Sequence, residues 1–199
     1  MDTLRFFLSF TLSKLLLPAA LLLPVILLLR PLLPGGWRRT AAYYGLALYL
    51  AAVWIVCGLP DCRHAVFNPR LNLVPFVRMW NVPAEAVLNI LLLVPYGFIL
   101  PLLYKRFRDG RRMIPAGFAL SLFIELAELF SGITDVDDLI LNTLGAWAGY
   151  FIACVLLLGS PRLSKAAPGD GTFADRAAVY LAVFLVMFFA VPLLSPLMP

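Results

Sequence analysis

Charge and cysteine are both scarce in this 199-residue chain: 14% of its residues are Asp, Glu, Lys or Arg, and it has three cysteines. Cys57, Cys62 and Cys154 are too few and too irregularly spaced for a disulfide scaffold or a zinc site. Cys57 and Cys62 can bridge only if both face an oxidising compartment, with free thiols the standing alternative; Cys154, inside an apolar run, reads as filler. With 62% of its residues hydrophobic, the chain carries more apolar surface than a soluble core of this size can hide, which excludes an ordinary soluble domain. The net charge of +5 would suggest nucleic acid in a soluble protein. Here the basic residues fall in short clusters between apolar runs, as topology signals do, so no nucleic-acid partner is expected. A small-residue cleavage site is also missing after the N-terminal leucine run, so that run is expected to stay as a membrane segment.

What is abundant is apolar sequence of membrane-spanning length. A helix needs about 20 mainly apolar residues to cross the hydrocarbon, and six segments qualify: Leu12 to Leu33, Thr40 to Leu59, Ala86 to Tyr104, Met113 to Phe130, Leu139 to Leu158 and Ala177 to Leu197. The expected fold is all-α, a polytopic transmembrane helix bundle of about six spanning helices. Lys14, Pro18 and Pro24 interrupt the first segment. The sequence KRFRDGRR, Lys105 to Arg112, holds five basic residues in eight, whereas SGITDVDD, Ser131 to Asp138, holds none. The first is assigned to the cytoplasm and the second to the outside; eleven of the sixteen Lys and Arg residues then lie inside, and both termini lie outside. The chain divides into two N-terminal spans (1–60), a central part with an interfacial loop and three spans (61–158), and a cytoplasmic linker with the last span (159–199). In the loop Pro60 to Pro83, apolar residues alternate with Arg63, His64, Arg70 and Arg78. Prolines 69, 75 and 83 forbid a continuous helix there, so the loop is expected to lie on or dip into the outer interface. No internal repeat is visible.

Polar residues inside apolar segments carry the functional signal, because an Asp at the centre of a membrane helix costs roughly 2.5 to 3.5 kcal/mol. Ser121, Glu125 and Glu128, four and three apart, share one helical face. Glu125 lies about 8 Å in from the end of its segment at 1.5 Å per residue. Two carboxylates this close in a low dielectric require a proton or a positive partner. Glu85, Asn89 and Tyr96 form a second stripe, followed by Pro95 and Gly97, where the helix is expected to bend or open. In TDVDDLILNTLGAWAGY, residues 134–150, a third stripe runs through Asp138, Asn142, Gly145 and Gly149. The two glycines allow close helix packing, and Asp135 or Asp137 can cap the helix. All three stripes place their polar ends in the outer half of the bilayer under one topology. Pooled, they form an outward acidic pocket, with Arg63, His64, Arg70 and Arg78 as partners or phosphate ligands. Hard cations prefer such oxygen donors, yet no spacing here specifies a metal site, and no cofactor is implied.

At these residues the chain resembles the VanZ-like family of bacterial membrane proteins, named for a glycopeptide-resistance accessory protein. The resemblance rests on NLVPF (Asn72 to Phe76), NILLLVPYGFILP (Asn89 to Pro101), SLFIELAE (Ser121 to Glu128) and DVDDLILNTLGAWAGY (Asp135 to Tyr150). The family's pattern usually has glutamine where Glu128 stands and commonly arginine where Gly132 stands, so this pocket is more acidic than its relatives'. The family supplies no catalytic residue to transfer. The resemblance implies a multi-pass protein of the bacterial cytoplasmic membrane, in contact with membrane lipids, that binds a lipid-linked cell-envelope precursor or a peptide and affects glycopeptide sensitivity. A membrane enzyme acting on a lipid phosphate or headgroup is the alternative, and a transporter or flippase comes third, because the inner halves of the same helices are almost wholly apolar.

Overall fold

The computed structural model describes residues 2–33, 35–76, 82–160 and 172–197 and is almost entirely helical. In chain order come α1 (Asp2–Leu28), α2 (Trp37–Val56), α3 (Pro83–Leu103), a 3-10 turn (Lys105–Arg108), α4 (Gly110–Glu128), α5 (Val136–Gly159) and α6 (Phe173–Leu185). The last continues through a wide π turn, Val186–Ala190, into a short helix, Val191–Leu194. Five of these helical stretches are long and apolar enough to cross a membrane. The exception is α4, whose two ends carry Arg111, Arg112, Glu125 and Glu128. At 19 residues it is still about 28 Å long, close to the roughly 30 Å of a hydrocarbon core. Two two-residue strands complete the inventory among the described residues. β1 (Leu71–Asn72) pairs in parallel with β2 (Thr134–Asp135), Leu71 opposite Thr134 and Asn72 opposite Asp135.

Two compact units divide the chain: residues 1–66 with 171–199, and residues 67–170. In the first, α1, α2 and α6 bury Leu22, Ile26, Tyr43, Leu46, Ala47, Ala51 and Val179. Trp54 meets Phe184 edge to face with ring centroids 6.0 Å apart. The start of α6 is fixed by a reciprocal cap between Thr172 and Asp175, which satisfies N–H groups that have no partner within the helix. Near its other end Pro192 has no N–H to offer the Phe188 carbonyl one turn back. That carbonyl instead accepts from the Cys62 backbone N–H at 2.9 Å, which ties the segment after α2 to α6. All three cysteines are free thiols.

The second unit holds α3, α4 and α5 with both strands. Alanine-like Cβ atoms built on Gly145 and Gly149 would fall 1.9 Å from the carbonyl oxygens of Ile90 and Val94, and one built on Gly97 would fall 1.8 Å from that of Ala146. The backbones of α3 and α5 therefore touch. Because the partners advance together, Ile90 with Gly145 and Val94 with Gly149, the two helices run parallel, and α4 is the return helix that links them in sequence. A Cβ on Gly117 of α4 would fall 2.6 Å from the Ala146 side chain. α3 stays helical through Pro95 and Pro101, so it does not open at Pro95.

Candidate functional site

At one end of the second unit the start of α3, the end of α4 and the start of α5 converge, and β1 and β2 bind the preceding loop to them. Acids predominate here, and burying a carboxylate is costly unless donors replace its water. The donors can be named. Asp135, fully buried, caps α5 by accepting from the Asp137 N–H at 2.9 Å and also accepts from Asn72 Nδ2 at 3.0 Å. The Asp137 carboxylate accepts from the Phe76 N–H at 2.5 Å. Asp138 accepts from Asn89 Nδ2. Glu125, 3% exposed, accepts from the Asp135 N–H at 2.8 Å.

The end of α4 is sealed by the same loop. Thr134 Oγ1 donates to the Glu125 carbonyl at 2.9 Å, the Asn68 N–H to the Leu129 carbonyl at 3.1 Å, and the Thr134 N–H to the Arg70 carbonyl at 2.9 Å. Carbonyls that a helix C-terminus leaves without partners are thus satisfied from outside the helix. Phe67 packs on Phe130 with ring centroids 5.3 Å apart. The loop also stores strain, because Phe76 has φ of 70°, a region a bulky side chain rarely occupies.

Deeper in the unit, Ser121 is fully buried and donates to the Leu139 carbonyl at 3.1 Å, joining α4 to α5. One turn beyond Asp138 on α5 lies Asn142, 2% exposed, whose Oδ1 has no hydrogen-bond partner. A buried amide oxygen without a donor costs about 1–3 kcal/mol, so this group is poised to accept one.

The residues singled out from the sequence are only partly gathered here. Asn89, Ser121, Glu125, Asp135, Asp137 and Asp138 are joined by the contacts above, with Asn142 one turn inward. Glu85, half-buried in the first turn of α3, and Glu128, half-buried at the end of α4, border the same end. Tyr96 is buried seven residues beyond Asn89, about 10 Å along α3. Gly145 and Gly149 serve the α3–α5 contact. Arg70 enters through its backbone carbonyl, its side chain being exposed. Arg63 and His64 lie in the other unit, in a turn closed by Asp61: Asp61 Oδ1 accepts from the Arg63 N–H at 2.8 Å and the His64 N–H at 3.0 Å, and His64 Nδ1 lies 2.9 Å away. Partial burial would raise the Asp61 carboxyl, but these hydrogen bonds and the imidazole outweigh it and hold the group below its ordinary value of 3.8. Arg78 lies outside the described residues.

Asn72, Thr134 and the Phe76 N–H were missed as site residues. The available signal was the NLVPF stretch itself, which has an amide and a proline-restricted turn in an otherwise apolar run. Among the described residues no group of three or more His, Cys, Asp or Glu side chains is disposed to hold a metal ion. A family model described as VanZ/LLP1 matches residues 46–157, which takes in every element of this end of the unit. No curated protein and no solved structure matches the chain.

Proposed function

Since the chain belongs to the VanZ/LLP1 family, we propose that it is a multi-pass protein of the bacterial cytoplasmic membrane whose acidic end faces outward and receives a donor-bearing envelope ligand. The ligand is a lipid-linked precursor or peptide that presents amino or amide N–H groups to this acidic end, and its capture alters sensitivity to glycopeptide antibiotics. The observation that carries this reading is Asn142, a buried amide oxygen with no donor, one turn inward from an Asp138 already oriented by Asn89. Around it the other acids accept backbone and asparagine N–H groups, so the shape of the site is set before a ligand arrives, which lowers the ordering cost of binding. A ligand bearing hydrogen-bond donors satisfies Asn142 and meets surrounding negative charge; an anionic one meets repulsion.

Glycopeptide sensitivity of cells carrying the wild-type chain or Asn142→Leu, at equal membrane abundance, tests the proposal. Asn142→Leu keeps the volume and removes the acceptor, so the expected result is a change in sensitivity toward that of cells lacking the protein, with the purified variant as stable as the wild type or more so. Identical sensitivity of all three strains would overturn the reading.

A further inference from the structure

The opposite end of the second unit is as basic as the first is acidic. The turn between α3 and α4, Lys105–Arg112, carries Lys105, Arg106, Arg108, Arg111 and Arg112 within the span of a 3-10 turn and the first turn of a helix. Its one acid, Asp109, is committed to capping α4, accepting from the Arg111 N–H at 3.0 Å. Among the described residues, Lys105, Arg106, Arg111 and Arg112 make no ion pair. Like charges this close repel one another, and a low-dielectric neighbour strengthens the repulsion. Arg106 adds a second observation: its Nε is buried and has no hydrogen-bond partner.

The turn is also braced by hydrogen bonds and ring contacts. Arg108 turns inward, its Nε donating to the Pro101 carbonyl at 3.2 Å and its Nη2 buried, while Tyr150 Oη donates to the Arg108 carbonyl at 3.0 Å. Tyr104 and Phe107 pack edge to face at 5.9 Å, and the Arg106 guanidinium lies 5.7 Å from the Phe107 ring centroid. Four cations are thus left at the adjoining ends of two helices, and the ends of a spanning helix of about 20 residues come to the level of the phospholipid phosphates. Guanidinium groups bind phosphate oxygens in a planar, two-point geometry, and juxtamembrane basic clusters attract anionic leaflets.

We propose that this turn seats the headgroup of an anionic phospholipid, with Arg106, Arg111 and Arg112 on the phosphate and Lys105 at its edge. The site is independent of the acidic end and takes ligands of the opposite charge. Native mass spectrometry of the full chain, purified in detergent and mixed with phosphatidylglycerol or phosphatidylcholine, reads it directly. The wild type is expected to retain phosphatidylglycerol in preference to phosphatidylcholine. The triple variant Arg106→Gln, Arg111→Gln, Arg112→Gln should lose retention by at least about tenfold, given roughly fivefold per cation near an anionic surface before screening. The charge-matched triple Lys14→Gln, Arg30→Gln, Arg38→Gln, all exposed, should keep it. Should the first triple fail to fold, Arg112→Gln alone, on an exposed side chain, should weaken retention several-fold. Equal retention of the two lipids by the wild type, unchanged retention in the turn variants, or an equal fall in the charge-matched control would each overturn the proposal.

Discussion

Phe76 and Asp137 show how a single hydrogen bond can hold a residue where its own side chain disfavours it. The left-handed conformation at Phe76 costs of the order of 1–3 kcal/mol for a bulky residue, and glycine would adopt it freely. What holds Phe76 there is its N–H, directed at the buried Asp137 carboxylate. Phe76→Gly should therefore raise the stability of the purified protein by about 1 kcal/mol, whereas Asp137→Ala should lower it by about 1–3 kcal/mol. In the double variant the glycine gain should shrink, because without the acceptor Phe76 relaxes before it is replaced. Reversible unfolding in mixed micelles measures all four states of that cycle. Additive effects would mean that the strain has another source. None of this was legible in the sequence. Asp137 looked like one more acid near a helix start, and the residue it restrains lies 61 positions away.

For the helices the sequence was informative in proportion to apolar length, and that is a physical limit. Runs of about 20 apolar residues declare a spanning helix because every backbone group is satisfied within the segment, and each of the six expected segments has a helix at its centre. The pairing of β1 with β2 declared nothing. Two residues on each side give no alternation to read, and their partnership depends on α3 and α4 folding back between them. Small residues fall between these cases, because a stripe of glycines announces close packing but not its partner. Gly145→Ala should cost about 1–3 kcal/mol by overpacking, since the new methyl group meets a backbone carbonyl that cannot rotate away. Gly45→Ala should be neutral or stabilising by up to about 1 kcal/mol, because Gly45 has nothing within 4 Å of its would-be Cβ. Thermal unfolding of the two variants in one detergent compares them, and a loss at Gly145 no larger than at Gly45 would remove the close α3–α5 contact from the account.

Across the second unit charge is separated end to end. Asn89, Glu125 and Asp138 gather at one end through α3, α4 and α5, while Tyr150 reaches Arg108 at the other. Between the two ends α4 runs about 28 Å, enough to place them at opposite membrane surfaces even though its charged ends lower its average apolarity. The bias of basic residues toward one side of a membrane predicts an orientation for the unit, with the Lys105–Arg112 turn in the cytoplasm and the acidic end outside. Cysteine accessibility tests that orientation in a background with Cys57→Ser, Cys62→Ser and Cys154→Ser, all free thiols whose loss breaks no bridge. In intact cells a membrane-impermeant maleimide should label Gly132→Cys, next to the acidic end, and should label Asp109→Cys, in the basic turn, only after the membrane is opened. The reverse pattern would put the acidic end in the cytoplasm, out of reach of any envelope ligand, and the proposed function would fall with it. The lipid contact at the basic turn would survive that outcome, because anionic phospholipid can be presented at either surface.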